Sequence, residues 1–106
     1  MKNIDYVNYI ENKVIEKFEG FQIIEKRYEN LPNDAFIIIF ENKGTRLSFI
    51  YDRGYINGEV IRGSVFTPYW KLDNSLTNLW LVDTLNIDKI IDFLNEHRSE
   101  IFPEEN

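Results

Sequence analysis

The sequence predicts an α+β domain in which a four-stranded antiparallel meander is packed by an N-terminal and a C-terminal helix. The run from Phe36 to Arg62 contains three β-type segments joined by the turns Asn42-Lys43-Gly44 and Asp52-Arg53-Gly54. Both turns place Asn or Asp first and Gly third, which is typical of a type I turn that closes with a left-handed Gly. Amphipathic apolar stripes at both ends predict the two helices. The 106 residues suffice for one domain, residues 1–106, and 43% of them are hydrophobic.

Two helices follow from apolar residues that recur at three- and four-residue steps. Asn3 or Asp5 can cap the first helix, and Gly20 can end it in a left-handed turn. Asn86 or Asp88 can cap the last helix. The first stripe consists of Ile4, Val7, Ile10, Val14, Ile15 and Phe18, and the last consists of Ile87, Ile90, Ile91, Leu94, His97 and Ile101.

Four strands are expected between the helices. The segment from Phe21 to Tyr28 carries Gln and charged residues, which suits an exposed sheet edge. After a loop at residues 29–34, the continuously apolar run from Ala35 to Phe40 predicts a central strand that is covered on both faces. Thr45 to Tyr51 and Tyr55 to Arg62 complete the meander.

Three-residue loops would pair Glu41 with Thr45 and Tyr51 with Tyr55, and this register sorts the side chains into two faces. We expect the helices to cover the first face, where Ser48 would oppose Gly58. The second face is aromatic and needs another cover. The first face would hold Phe36, Ile38, Phe40, Ser48, Ile50, Ile56, Gly58 and Val60, and the second Ile37, Ile39, Leu47, Phe49, Tyr51, Tyr55, Asn57 and Glu59.

Residues 63–85 carry too much apolar surface for a free loop. Gly63-Ser64 and Pro68 interrupt the strand pattern. We expect this segment to fold back over the second sheet face, with a short helix from about Leu76 to Leu85.

Composition restricts the function. The net charge is −6, and residues 63–106 contribute −5 of it, with three basic and eight acidic groups. This acidity argues against binding to a nucleic-acid backbone and favours a basic protein partner, although it can also serve solubility alone. The chain lacks cysteine, a secretory signal pattern and an apolar run that could span a membrane. A cytoplasmic location without membrane contact is therefore expected.

No catalytic or metal-binding constellation is recognised, so we predict a protein that is not an enzyme and has no cofactor. The only histidine, His97, is formally available for a catalytic triad but falls near a helix C-terminus, where a structural role is more frequent. Asp88, Asp92 and Glu96 are interpreted as a solvated acidic face rather than a cation site. No phosphate-binding loop or nucleophile elbow is present.

The predicted partner-binding residues are aromatic or lie at a turn tip. Arg53 would project from its turn, and residues of these types are enriched among interface anchors. A packing role for the same aromatic residues is the competing interpretation. The predicted set is Tyr51, Arg53, Tyr55, Trp70 and Trp80.

The stretch from Arg46 to Val60, with its Asp52-Arg53-Gly54 turn, resembles small bacterial immunity-type proteins that are encoded beside polymorphic toxins. The order of elements is similar as well, whereas Phe66 to Val82 matches nothing that we recognise. The resemblance implies a cytoplasmic inhibitor that binds one cognate toxin and catalyses nothing, and it carries over no catalytic residue.

Three functional hypotheses follow. The leading one is a non-enzymatic protein-binding domain, an immunity-type inhibitor of a basic toxin domain. The second is a small-ligand-binding protein or enzyme with a pocket between the sheet and residues 63–82, in which Asp52, Glu59 and His97 would converge. The third is a structural homodimer joined through the second sheet face.

Overall fold

The computed structural model describes residues 3–29, 35–81 and 83–102. The predicted α+β class, the antiparallel sheet and the helices at both ends are confirmed, but the described residues form a seven-stranded sheet rather than a four-stranded one. In chain order the elements are α1 (Asn3–Lys17), β1 (Gln22–Glu29), β2 (Ala35–Asn42), β3 (Thr45–Asp52), β4 (Tyr55–Asn57), β5 (Glu59–Arg62), β6 (Val65–Pro68), α2 (Tyr69–Leu72), a 3₁₀ turn (Asn74–Leu76), β7 (Leu79–Trp80), α3 (Leu85–Glu96) and α4 (Arg98–Ile101).

The sheet divides at one edge. Strands β1, β2 and β3 pair in order, and the opposite side of β3 pairs with both β4 and β5. Beyond them, β4 pairs with β7 and β5 pairs with β6. Gly58 separates β4 from β5, and residues 69–78 connect the two outer strands. We call this divergence of β6 and β7 the edge fork.

The predicted register is wrong by one residue. Thr45 pairs with Asn42 rather than Glu41, and Tyr55 pairs with Asp52 rather than Tyr51. Both loops have two residues instead of three, because Lys43 and Arg53 adopt positive φ angles of 50° and 55° ahead of their glycines. Two successive residues with positive φ form a type I′ turn, whose twist matches that of antiparallel strands.

This shift exchanges the predicted sheet faces on β3, since neighbouring side chains point to opposite sides. Phe49 is fully buried in the core, whereas Ile50 is only half-buried. The central strand β2 alternates between buried and half-buried residues, so the expected cover on both faces is also wrong. The helices cover the face of the sheet that we call the inner face. Its buried residues are Phe36, Ile38, Phe40, Leu47, Phe49, Ile56 and Val60.

Helices α1 and α3 pack on that inner face. Ile10 and Val14 of α1 and Ile90 and Leu94 of α3 are completely buried. The Tyr9 hydroxyl donates a hydrogen bond of 2.5 Å to Asp88 Oδ1, which joins the two helices. Burial of apolar surface by both helices is therefore the main contribution to the stability of the fold.

The ends of the helices match the predictions in part. Gly20 has a φ of 92° three residues after α1 ends, as expected for a left-handed turn. The last helix begins after Thr84 rather than at Asn86 or Asp88, because Asp83 Oδ1 accepts a hydrogen bond from the Leu85 amide. It is also interrupted at His97, beyond which α4 continues.

The prediction for residues 63–85 is wrong. Instead of folding over the outer sheet face, this segment extends the sheet edge with β6 and β7, and no helix spans Leu76 to Leu85 among the described residues. The predicted loop at residues 29–34 lies largely outside the described residues. Across the described ranges, no helix has both the length and the apolar character to cross a bilayer.

Candidate functional site

The edge fork is held open by Tyr69, which is fully buried. The Tyr69 amide donates a hydrogen bond to the Gly58 carbonyl oxygen at 3.1 Å, and its hydroxyl donates to the Ser48 carbonyl oxygen at 2.8 Å. Burial, followed by the nearby Glu59 charge, raises the pKa of Tyr69 well above its ordinary value. Tyr69 thus remains a neutral hydrogen-bond donor at physiological pH and fixes the base of residues 69–78.

Gly58 makes this close approach possible. A Cβ at this position would lie 1.9 Å from the Ser48 carbonyl oxygen and 2.7 Å from Tyr69 Cε2. The sequence prediction put Ser48 opposite Gly58 and assigned the resulting hollow to a helix. In the structure the hollow is filled by the Tyr69 ring, which packs 5.8 Å from the Phe49 ring centroid.

A groove of about 740 Å³ lies along the fork. This volume falls within the range of small-molecule sites. Its walls combine aromatic rings, side-chain amides and charged groups, and one side is formed by β4 and β5 while the other is formed by residues 68–79. The lining residues are Asp52, Arg53, Tyr55, Ile56, Asn57, Gly58, Glu59, Pro68, Trp70, Asn74, Leu76, Thr77, Asn78 and Leu79.

Four of the five predicted partner-binding residues lie at this groove. Arg53, Tyr55 and Trp70 line it, and the Trp80 ring stacks on the Tyr55 ring with centroids 4.2 Å apart. Trp80 is 54% exposed and Trp70 is 46% exposed. Both tryptophans of the chain are therefore partly exposed, one in the groove wall and the other stacked on a residue of that wall.

The backbone around Trp80 is well supported. Tyr55 pairs with Trp80 in the sheet, and the Leu81 amide donates to the Gly54 carbonyl oxygen at 2.8 Å. A Cβ at Gly54 would meet the Trp80 ring at 2.7 Å, so the ring rests directly on the backbone of the Arg53-Gly54 turn. The turn glycine is needed both for its φ of 92° and for this contact.

Tyr51, the fifth predicted residue, does not share this surface. It pairs with Ile56, is half-buried against the core, and places its ring 5.4 Å from that of Phe36. Tyr51 and Tyr55 were expected to face each other, and the one-residue shift puts them on opposite faces of the sheet. The homodimer hypothesis used that predicted face and stays a prediction without a defined surface.

The polar groups of the second hypothesis are only partly brought together. Asp52 and Glu59 line the groove, but His97 lines a separate cavity of about 260 Å³. Its imidazole lies 3.6 Å from the Glu100 carboxylate and 4.4 Å from the Phe93 ring centroid. The prediction that Asp52, Glu59 and His97 converge in one site is therefore wrong.

Several lining residues escaped the sequence analysis because no secondary structure was assigned to residues 69–75 and a helix was wrongly expected from about Leu76. Asp73 Oδ1 accepts a hydrogen bond from the Ser75 amide at 2.8 Å, and bonding to Ser75 lowers the pKa of Asp73. The Asp-Asn-Ser sequence is a turn signal that predicts such a local structure. It could have indicated that Asn74 turns back towards the sheet edge.

Metal-binding groups do not cluster within the described ranges, since no three His, Asp or Glu side chains come together there in a way that could hold an ion. Comparisons of the chain with models of protein families, with curated proteins and with solved structures give no match. The function of the groove must therefore be argued from the residues that line it.

Proposed function

We propose that this protein is a non-enzymatic binding domain that contacts a basic protein partner through the mouth of the groove. The observation that carries the proposal is the exposure of Trp70, which lines the groove together with Arg53, and of Trp80, whose ring lies against Gly54 and Tyr55. Trp, Tyr and Arg are the residue types that contribute most to binding energy at protein interfaces.

The rigidity of this surface supports the proposal. Trp80 is stacked on Tyr55 and rests on the backbone of Gly54, so little side-chain freedom remains to be lost on binding. Interfaces built on pre-ordered aromatic side chains avoid part of the entropy cost of association.

The charge distribution supports a basic partner. Residues 63–106 contain eight acidic and three basic groups, and they include Trp70 and Trp80. Opposite charges on two proteins accelerate their encounter, and this effect weakens with added salt. Within this class, the resemblance of Arg46 to Val60 to immunity-type proteins favours an inhibitor of a cognate bacterial toxin, acting in the cytoplasm.

Binding to purified products of the adjacent genes, each expressed separately, tests this function. The tagged protein is expected to capture a basic product more strongly at about 50 mM salt than at about 500 mM. Trp80→Ala should weaken the interaction by about thirtyfold, the effect of losing an interface anchor worth about 2 kcal/mol.

Ile15→Ala is the matched control, because Ile15 is also about half exposed but lies on α1. Absence of binding by every adjacent product, or equal binding by the Trp80 and Ile15 variants, would contradict the proposal.

A second candidate is a site for a small molecule in the same groove. It is favoured by the groove volume and by the presence of Asp52 and Glu59 in its wall. Saturable binding of a small metabolite at micromolar concentration, without any protein partner among the adjacent gene products, would support this alternative instead.

A further inference from the structure

Glu59 lines the groove, and the residue is half-buried. The backbone of Glu59 is hydrogen-bonded within the protein, since its amide donates to Ser48 Oγ at 2.9 Å. Within the residues that the structure describes, the carboxylate itself has no hydrogen-bond or ion-pair partner. A carboxylate without an internal partner in the wall of a groove is available to an incoming cation, and the attraction between them is stronger there than in bulk water.

The other walls of the groove suit a planar cation. Tyr55 and Trp70 line the same space, and aromatic ring faces attract cations. Trp70 already has the Lys71 ammonium 5.7 Å from its ring centroid, so this ring attracts a cation in the folded protein. The side-chain amides of Asn57, Asn74 and Asn78 add oxygen acceptors for N–H donors.

Arg53 does not neutralise the groove. Its Nε atom lies 3.9 Å from Asp52 Oδ2, and its side chain is 84% exposed. Such a long, solvated ion pair contributes little and is readily exchanged for another. The residues that line the groove thus include two carboxylates, those of Asp52 and Glu59, and one guanidinium, that of Arg53.

We infer that the groove binds a basic side chain of the partner, arginine in preference to lysine, with Glu59 as its counter-ion and Tyr55 and Trp70 as its aromatic walls. Arginine is preferred because its flat guanidinium stacks on rings and bonds a carboxylate through two N–H groups. The inference rests on the proposed function for the identity of the partner, but the site itself can be tested with a peptide.

Tryptophan fluorescence provides a selective readout, since the only two tryptophans lie at the groove. The probe is the peptide Gly-Arg-Gly-Arg-Gly with blocked ends. The same peptide with lysine, and the same peptide with citrulline, the uncharged analogue of arginine, serve as comparisons. We expect a saturable change with the arginine peptide, weaker binding of the lysine peptide, and at least about tenfold weaker binding of the citrulline peptide.

Glu59→Gln should weaken binding of the arginine peptide by about tenfold. Glu96→Gln, which removes the same charge from an exposed position on α3, should leave the affinity unchanged. Asp52→Asn gives a second test at the groove, and thermal unfolding followed by circular dichroism checks that each variant is folded.

Equal binding of the arginine and citrulline peptides, or equal affinities of the Glu59 and Glu96 variants, would overturn the inference. Capture of an adjacent gene product through Trp80 without any response to the arginine peptide would also overturn it while leaving the proposed function in place. A response to the peptide that depends on Glu59, without any captured product, would support the inference and contradict the proposed function.

Discussion

Replacing Gly58 with alanine should destabilise the fold more than the same replacement at a glycine where the added Cβ has free space. The added Cβ would lie 1.9 Å from the Ser48 carbonyl oxygen and 2.7 Å from Tyr69 Cε2. The Ser48 oxygen belongs to a strand that is paired on both sides, so it cannot move without disturbing the neighbouring ladders. The backbone at Gly58 would therefore have to move away from Ser48, and the Tyr69 ring, which fills the base of the edge fork, would have to move as well.

The size of the effect follows from three contributions. Overpacking of a core typically costs about 1–3 kcal/mol. Displacement of Tyr69 also removes the 2.8 Å hydrogen bond between its hydroxyl and the Ser48 carbonyl oxygen, which adds about 1 kcal/mol. Alanine restricts the unfolded chain more than glycine does, which offsets about 0.4–1 kcal/mol. We therefore expect a net loss of about 1–3.5 kcal/mol in the free energy of unfolding.

Urea unfolding monitored by circular dichroism measures this loss as a lower transition midpoint with an unchanged slope. Gly44→Ala is the control, because a Cβ there meets nothing within 4 Å and only the positive φ of 83° opposes it. That strain costs about 1–2 kcal/mol. If Gly58→Ala were no more destabilising than Gly44→Ala, the argument that close packing at the fork requires Gly58 would be refuted.

Three further substitutions test the fork and its surface by urea unfolding. Tyr69→Phe should lose about 1 kcal/mol near neutral pH, because the Ser48 carbonyl oxygen loses a buried donor. Burial raises the pKa of Tyr69, so its contribution to stability is complete well below pH 10 and declines as the pH rises above about 10. The variant should therefore lose less stability than the wild type above about pH 10. Parallel pH curves would contradict this. Ser48→Ala should cost about 1–2 kcal/mol, since Ser48 Oγ accepts the Glu59 amide at 2.9 Å, and an unchanged midpoint would show that this bond is replaced by water. Trp80→Ala should cost only about 1–2 kcal/mol, mainly the stack on Tyr55, and a larger loss would mean that its effect on partner binding reflects unfolding.

The sequence predicted most of the element order correctly, because helix stripes and strand runs are local signals. The register failed at two residues, Lys43 and Arg53, for which left-handed φ angles are uncommon. Asn-Lys-Gly and Asp-Arg-Gly fit both a three-residue loop and a two-residue type I′ loop, and no local signal distinguishes them. The choice is made by the whole sheet, since only the shorter loops bring Phe49 into the core with Leu47 and Phe36.

The segment from Gly63 to Leu85 could not be predicted from its own residues. Strands β6 and β7 have four and two residues, and each forms only because it pairs with a neighbouring strand of the sheet. The pairing of β6 with β5 and of β7 with β4, on either side of Gly58, is a tertiary arrangement that periodicity does not reveal. Composition suggested Tyr51, Tyr55, Trp70 and Trp80 as neighbours. The structure stacks Trp80 on Tyr55 and places Tyr55 and Trp70 in one groove, but it puts Tyr51 on the opposite face.

The position of the exposed aromatic surface depends on the same one-residue shift. With Ile56 and Leu79 buried, their neighbours Tyr55 and Trp80 must point to the opposite side of the sheet. Strand β7 has only two residues, yet the backbone of Trp80 is held beyond its pairing, because Asn86 Nδ2 donates to the Trp80 carbonyl oxygen at 2.7 Å from the start of α3. An aromatic ring exposed on a backbone that is fixed by both a turn and a helix is a surface suited to recognition. Core packing does not require its exposure, and this is the physical reason for placing the proposed binding function at the fork rather than on the centre of the sheet.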